Sequence, residues 1–277
     1  MGKALGLMLV VLALGTVYLF VGQSVWWFPP NYSTHGGAID AQFMRTLVVV
    51  GIAFVGAQIA LGYAVFKFGR RGSNRAVYSH GSTRLEATWT LITAAIFIII
   101  AVLGQRVWAQ LHLNEAPPDS VKVNVVAQQF QWNFHYPGVD NDFGKTEPKF
   151  YDDSALNFVG LDPADPASRD DVQVTTLVVP VNRPVELTMR SKDVIHSLFV
   201  PQMRLKQDVV PGMNIRVHFT PTQTGRFEIP CAELCGNNHY NMKSFLLVLP
   251  DADYADLSSK TEDDFKARVG ELLQEYK

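Results

Sequence analysis

Two thiols, an imidazole and a thioether stand within the twelve residues Cys231-Ala232-Glu233-Leu234-Cys235-Gly236-Asn237-Asn238-His239-Tyr240-Asn241-Met242, and these are the only cysteines among 277 residues. Thiolate, imidazole and a weak thioether are the donors of copper electron-transfer centres, whereas a structural zinc site uses no methionine and usually takes four Cys or His ligands. A second imidazole must come from elsewhere, and His196, 35 residues before Cys231 at the start of an apolar run, is the best of the remaining six. Two thiolates with three residues between them in a tight loop can bridge a pair of copper ions in a Cu2S2 core, with His196 and His239 each capping one metal. The Met242 thioether is then a long axial ligand on one copper, and the Glu233 carbonyl, held between the cysteines, faces the other. Two blander readings stay open: a disulfide in an extracytoplasmic domain, and a mononuclear copper site that leaves one cysteine idle. His35, His80, His112, His135 and His218 read as solvated or satisfied in the core.

The pattern C-x-E-x-C-x3-H-x2-M, with Asp193-Val194-Ile195-His196-Ser197 upstream, resembles the binuclear CuA site of subunit II of haem-copper cytochrome c oxidases. Leu205-Lys206-Gln207-Asp208 and Pro211-Gly212 resemble that family too, and with two membrane helices they carry the resemblance over most of residues 46–250. The resemblance implies an electron-transfer module in the plasma membrane of a bacterium, with its copper domain on the outer face. There it accepts electrons from cytochrome c and relays them to haem in subunit I, where oxygen is reduced to water with proton translocation. Other oxidase subunits and the lipid bilayer are the further partners implied; a nucleic acid is not, nor a catalytic residue in this chain. The resemblance also implies a Mg2+ or Mn2+ ion shared with subunit I and held by the Glu233 carboxylate, since carboxylate suits a hard cation.

Two further positions are carried over by resemblance. Where the family has an electron-accepting tryptophan, this chain has Phe130, and Trp132 follows two residues on. Two residues along a strand keep the face, so Trp132 is expected as a neighbouring aromatic on that surface, unless Phe130, Trp132 and Phe134 form a packed stripe. Glu86-Ala87-Thr88-Trp89-Thr90 resembles the family's E-x-x-W-T, with Thr93 where a proline is often found. This implies a place for Glu86 at the mouth of a proton pathway in subunit I, although a carboxylate is also favoured at any helix start. Three alternatives belong beside this reading. A CuA subunit of a nitric oxide reductase would look the same. A quinol oxidase subunit lacks the copper ligands, and a copper-delivery protein would carry exposed methionine-rich loops.

The elements that must position these residues fall into two unlike halves. Hydrophobic residues make up 48% of the chain while mean hydropathy is only +0.07, so an apolar part is averaged with a polar one. Residues 1–112 carry eight basic and two acidic residues, net +6, and residues 113–277 carry 16 basic and 24 acidic, net −8. In the first half Ala4–Trp27, Leu47–Phe66 and Ala87–Leu111 are each about long enough to cross ~30 Å of hydrocarbon as helices. The arginines of Gly69-Arg70-Arg71-Gly72-Ser73-Asn74-Arg75 place that loop in the cytoplasm. The amino terminus is then cytoplasmic as well, and everything after residue 112 lies outside. Ala4–Trp27 could instead be a signal peptide with Lys3 as its n-region. It has no A-x-A-like cleavage site and runs on through Val25-Trp26-Trp27, which suits an interfacial belt, so it is read as a retained helix. The resembling family usually has two helices here, and the third is a departure from it.

After Pro117-Pro118 the period changes from helical to alternating. Val121, Val123 and Val125 alternate, as do Val185, Leu187 and Met189; Ile215, Val217 and Phe219; and Phe245, Leu247 and Leu249. Short strands punctuated by Pro and Gly predict a Greek-key β-sandwich or barrel over 113–250, in agreement with the cupredoxin fold the resemblance implies. Gly138 to Gln173 shows no hydrophobic period and reads as a long surface loop. In the tail, 251–277, Phe265, Val269, Leu272 and Tyr276 share a helical face, with Thr261 as cap. No C-x-x-C-H occurs, so no c-type haem is expected on this chain.

Overall fold

The computed structural model describes residues 2–22, 28–69 and 78–276. Val25-Trp26-Trp27 and the arginines of the loop after Gly69 lie outside the described residues. Helices α1 (Gly2–Gly22), α2 (Gly36–Phe68) and α3 (Thr83–His112) are each long and apolar enough to cross a membrane. At 33 and 30 residues, α2 and α3 outrun the expected apolar stretches, since ~20 residues already span the hydrocarbon. The early start of α2 has a local cause: Ala38, Ala41 and Met44 continue the helix while Asp40, Gln42 and Arg45 supply its polar flank. Gly6 of α1 lies so close to α2 that an added Cβ would meet the Gly62 carbonyl at 2.6 Å. Gln42 Nε2 of α2 donates to the Ile100 carbonyl of α3 at 3.3 Å.

The other unit of the chain is Pro30–Gly37 with Ala109–Lys277. Its strands are β1 (Val121–Gln128), β2 (Gln131–Tyr136), β3 (Val172–Val174), β4 (Leu177–Pro180), β5 (Val185–Ser191), β6 (His196–Val200), β7 (Leu205–Val209), β8 (Ile215–Phe219), β9 (Gly225–Pro230) and β10 (Lys243–Leu249). They form a five-stranded sheet ordered β3-β2-β1-β5-β8, a three-stranded sheet ordered β4-β10-β9 and the pair β6-β7. The sandwich expected from the alternating strands is present. Val185, Leu187 and Met189 of β5 are buried between half-exposed neighbours, and they join Val123, Val125, Val217 and Phe219 in one core. β10 departs from simple alternation: Leu246, Leu247, Val248 and Leu249 are all buried. It is the central strand of its sheet, and the tail folds back as two helices, α4 (Asp251–Ser258) against β4 of that sheet and α5 (Glu262–Glu275) against β3 of the five-stranded sheet. The expected face of α5 is the buried one, through Phe265, Val269 and Leu272, and the Thr261 hydroxyl caps it from the Asp264 N–H at 3.4 Å.

Residues 138–173 are irregular apart from two single turns of 3-10 helix, at Pro148–Phe150 and Pro166–Arg169, and the start of β3. They are nevertheless anchored. His135 Nε2 and Asp171 Oδ2 are 2.7 Å apart with both side chains fully buried, and Asp171 also accepts from the Gly144 N–H at 2.8 Å and the Gly138 N–H at 3.3 Å. Val159 and Leu161 bury against Val126, and the Arg190 guanidinium of β5 donates to the Val159 carbonyl at 2.6 Å.

Candidate metal centre

The loop carrying the two cysteines leaves β9 at Pro230 and re-enters the sheet at Lys243. Its base is closed by the Cys231 N–H donating to the Met242 carbonyl at 2.9 Å, and the Ala232 N–H ties it to β6 through the Ser197 carbonyl at 2.9 Å. His196 is the first residue of β6, and Leu198 of that strand bridges to Cys231. Strand ends therefore fix both sources of ligands.

All six expected ligands converge. Cys231 Sγ and Cys235 Sγ are 3.8 Å apart and both cysteines are free, well beyond the ~2.05 Å of a disulfide. Cys231 Sγ lies 4.0 Å from His196 Nδ1 and 3.3 Å from the Glu233 carbonyl. Cys235 Sγ lies 3.6 Å from His239 Nδ1 and 3.7 Å from Met242 Sδ. Ligand atoms of His196, Cys231 and Cys235 all fall within 4.8 Å of one another. A metal–thiolate bond is ~2.3 Å, so sulfurs at this spacing can share a metal, and two imidazole nitrogens, a thioether and a carbonyl complete a soft donor set. The donors fit copper. They are also shielded: His196 is fully buried, and Met242, Cys235 and Cys231 are 1%, 3% and 7% exposed.

The electrostatics already favour one thiolate. Burial opposes charge on Cys231, but hydrogen bonds from His196, from the Ser197 and Glu233 backbone and from His239 outweigh it and pull the thiol down to about 6. Cys235 is pushed up to about 11, by burial and then by the charge of Cys231. His196 is raised, because bonds to Cys231 and Asp193 outweigh the burial that disfavours its cation. A ligating imidazole is normally oriented by an acceptor on its other nitrogen. Here that acceptor is Asp193, whose Oδ1 is 2.8 Å from His196 Nε2, leaving Nδ1 facing the thiols. Burial works against the Asp193 carboxylate, yet its bonds from His196, the Gln129 N–H and the Val194 N–H hold it below the usual carboxylate range. Asp193 stood in the quoted motif without a role, and its spacing three residues before a candidate ligand was the signal available.

Phe130 and Trp132 are not on one surface, as the sequence led us to expect. Phe130 is half-buried and lies over Gly236 of the cysteine loop, where an added Cβ would meet its ring at 3.0 Å. Trp132 is 1% exposed and packs edge-on to the His196 ring, centroids 6.1 Å apart. The two-residue rule fails because β2 begins at Gln131, so Phe130 belongs to the turn before the strand. Glu86 is not part of this cluster; it is exposed in the first turn of α3.

Residues 121–248 match the family model for the periplasmic domain of cytochrome c oxidase subunit II. The alternative cytochrome c oxidase subunit 2 of Bradyrhizobium diazoefficiens is 35% identical over 91% of this chain and 89% of its own length. Cytochrome c oxidase subunit 2 of Cereibacter sphaeroides is 30% identical over 76% of this chain and 71% of its own. The crystal structure of the periplasmic domain of subunit II of cytochrome oxidase from Bradyrhizobium japonicum is 25% identical, covers 55% of this chain and 99% of that one, and superposes with a TM-score of 0.40. With two relatives at or above 30% identity along most of their length, the chain belongs to the cytochrome c oxidase subunit II family.

Proposed function

We propose that this chain is the copper-bearing subunit through which electrons from cytochrome c pass, at the outer face of a bacterial plasma membrane, to haem in subunit I. Family membership makes it a subunit of a haem-copper oxidase, an oxidoreductase assembled with other oxidase subunits; the donor, the oxygen chemistry and the coupled proton translocation are the proposal. The supporting observation is the gathering of all six donors around two thiols 3.8 Å apart. Bound as a pair at this site, copper supplies a one-electron carrier. Cys231 and Cys235 would hold it through their thiolates, His196 and His239 through imidazole nitrogens, and Met242 and the Glu233 carbonyl would be the weaker donors. Because the ligands hang from strand ends and their partners are hydrogen-bonded, little has to move when the charge changes.

Residues 1–112 form the membrane region in this reading, with the amino terminus cytoplasmic and lipid around the helices. Residues 113–250 are the copper domain, and the helices of 251–277 pack against its strands β4 and β3. The Glu233 side chain is exposed, so its carboxylate is free to hold a Mg2+ or Mn2+ ion shared with subunit I. Glu86, exposed at the start of α3, supplies an acid at the cytoplasmic boundary for a proton pathway in that subunit. Phe130 is the electron-uptake point, and Trp132 backs the ligand His196 from inside. The −8 of residues 113–277 favours a basic cytochrome as donor, and nine acidic against three basic residues in 138–173 supply most of that charge. Electron paramagnetic resonance of the assembled oxidase tests the site. Cys231→Ser or Cys235→Ser is expected to abolish the mixed-valence binuclear signal, because a hydroxyl does not replace thiolate as a bridge, while Met242→Leu keeps copper and shifts its potential. An unchanged signal in either serine variant would overturn the assignment.

A further inference from the structure

Gln129 makes two bonds that no ligand makes. Its side-chain Nε2 donates to the carbonyl of Cys235 at 2.6 Å, across 106 residues of chain. Its backbone N–H donates to Asp193 Oδ2 at 2.6 Å, and the other oxygen of that carboxylate is 2.8 Å from Nε2 of His196. One residue therefore connects the turn bearing Phe130 to the cysteine loop and to the histidine loop at once. The fit over the cysteine loop is tight. Gly236 has φ +139°, and a Cβ there would stand 2.7 Å from Gln129 Nε2 and 3.0–3.1 Å from the Phe130 ring. Only a residue without a side chain lets the amide and the ring lie on that backbone together.

We propose that Gln129 is a positioning residue for electron uptake, a clamp that keeps the Phe130 ring seated on the Cys235–Gly236 backbone and in register with His196. The proposal rests on the copper centre and on Phe130 as the uptake point. Gln129 itself touches neither copper nor donor in this role; it sets where Phe130 stands. Without the Nε2 donor, Phe130 is held only by its own packing and by the backbone bond to Asp193. One hydrogen bond of ordinary strength is worth about fivefold in the population of the seated arrangement.

The test uses the assembled oxidase with a soluble basic cytochrome c as donor, comparing the parent protein with Gln129→Glu and Gln129→Met. Both variants keep the length of the side chain and remove the donor to the Cys235 carbonyl. In the parent protein the mixed-valence resonance signal must first be present, and its absence overturns the copper reading and this inference with it. Given the signal, both variants are expected to keep it, to melt within about 2 °C of the parent as loss of one part-buried bond allows, and to lower the limiting rate of copper reduction at saturating cytochrome about fivefold. The cytochrome concentration for half-saturation is expected to stay the same in Gln129→Met. A limiting rate equal to the parent's overturns the clamp. A raised half-saturation with an unchanged limiting rate also overturns it and makes Gln129 a donor contact instead. Gly236→Ala supplies a second approach to the same geometry: its Cβ displaces the amide and the ring, and it must lower the limiting rate in the same direction.

Discussion

Removing the Asp193 carboxylate while leaving every copper ligand in place measures how far the site depends on what orients its histidine. In Asp193→Ala the His196 Nε2–H, on a fully buried ring, loses its 2.8 Å acceptor, and the Gln129 and Val194 N–H groups lose theirs at 2.6 and 2.7 Å. A hydrogen bond involving a charged partner contributes ~1.5–3 kcal/mol, and losing the acceptor behind a metal-bound histidine typically costs ~10–100-fold in affinity. The Asp193 side chain is 30% exposed, so water reaches part of the gap and the lower end applies: copper affinity falls about tenfold. Asp193→Asn keeps one acceptor oxygen and is expected to lose less. The assay is competition for copper between the full-length protein in detergent and a chelator of known affinity, run from pH 7 downward. The carboxylate is held below its usual range in the folded protein, so its support is complete above that range and disappears as pH falls through the lowered value. Parent and variant should therefore converge in acid. Affinities within threefold of each other at pH 7 would show that His196 is oriented by packing, with Trp132 against its ring, and not by the carboxylate.

Copper uptake at pH 7–8 is expected to release about one thiol proton, because Cys231 is a thiolate from about 6 upward while Cys235 holds its proton to about 11. Affinity then rises with pH, and an indicator titration showing no proton release would contradict this assignment of charge. Asp171→Ala leaves buried His135 without its 2.7 Å partner and frees the start of the 138–173 segment. The expected loss in a chemical unfolding curve is about 3 kcal/mol, where the costs of an orphaned polar group and of a broken buried pair overlap, and a loss below about 1 kcal/mol would mean the segment is held elsewhere. Reduction by a basic cytochrome c is expected to slow steeply as salt rises and the Debye length shrinks to ~8 Å, and Phe130→Ala to slow transfer more than it weakens docking. A flat salt response in stopped flow would remove the argument from charge and favour a permanently docked donor.

What could be read in the sequence was whatever depends on neighbours along the chain. Four candidate ligand side chains within twelve residues announce themselves, and one more histidine needed only a short search. Three strands of the five-stranded sheet, β1, β5 and β8, showed because buried and more exposed residues alternate, most regularly in β5, whereas β2 is buried from Trp132 to Tyr136 and carried no such signal. The alternation of Phe245, Leu247 and Leu249 located β10 but not the burial of Leu246 and Val248, which follows from its place at the centre of its sheet. The ends of α2 were missed for a related reason, since an apolar run marks the hydrocarbon and not the helix that continues beyond it.

The contacts around the metal ligands are the hardest part to read, and they decide how the site works. Trp132 was misplaced by a rule that holds only within a strand, and the register breaks one residue before β2 begins. Gln129 gave no sign at all. Its side chain meets the Cys235 carbonyl only after the sandwich has closed, when the turn before β2 and the loop after β9 are brought edge to edge. A glutamine beside an aromatic is an ordinary surface pair in one dimension; in three its amide lies against the cysteine loop. The candidate ligands are therefore legible in the sequence, while the seating of Phe130 over Gly236 is a property of the tertiary fold. For that reason substitutions at Gln129 and Gly236 are expected to separate electron uptake from copper binding, which substitutions at the six ligands cannot do.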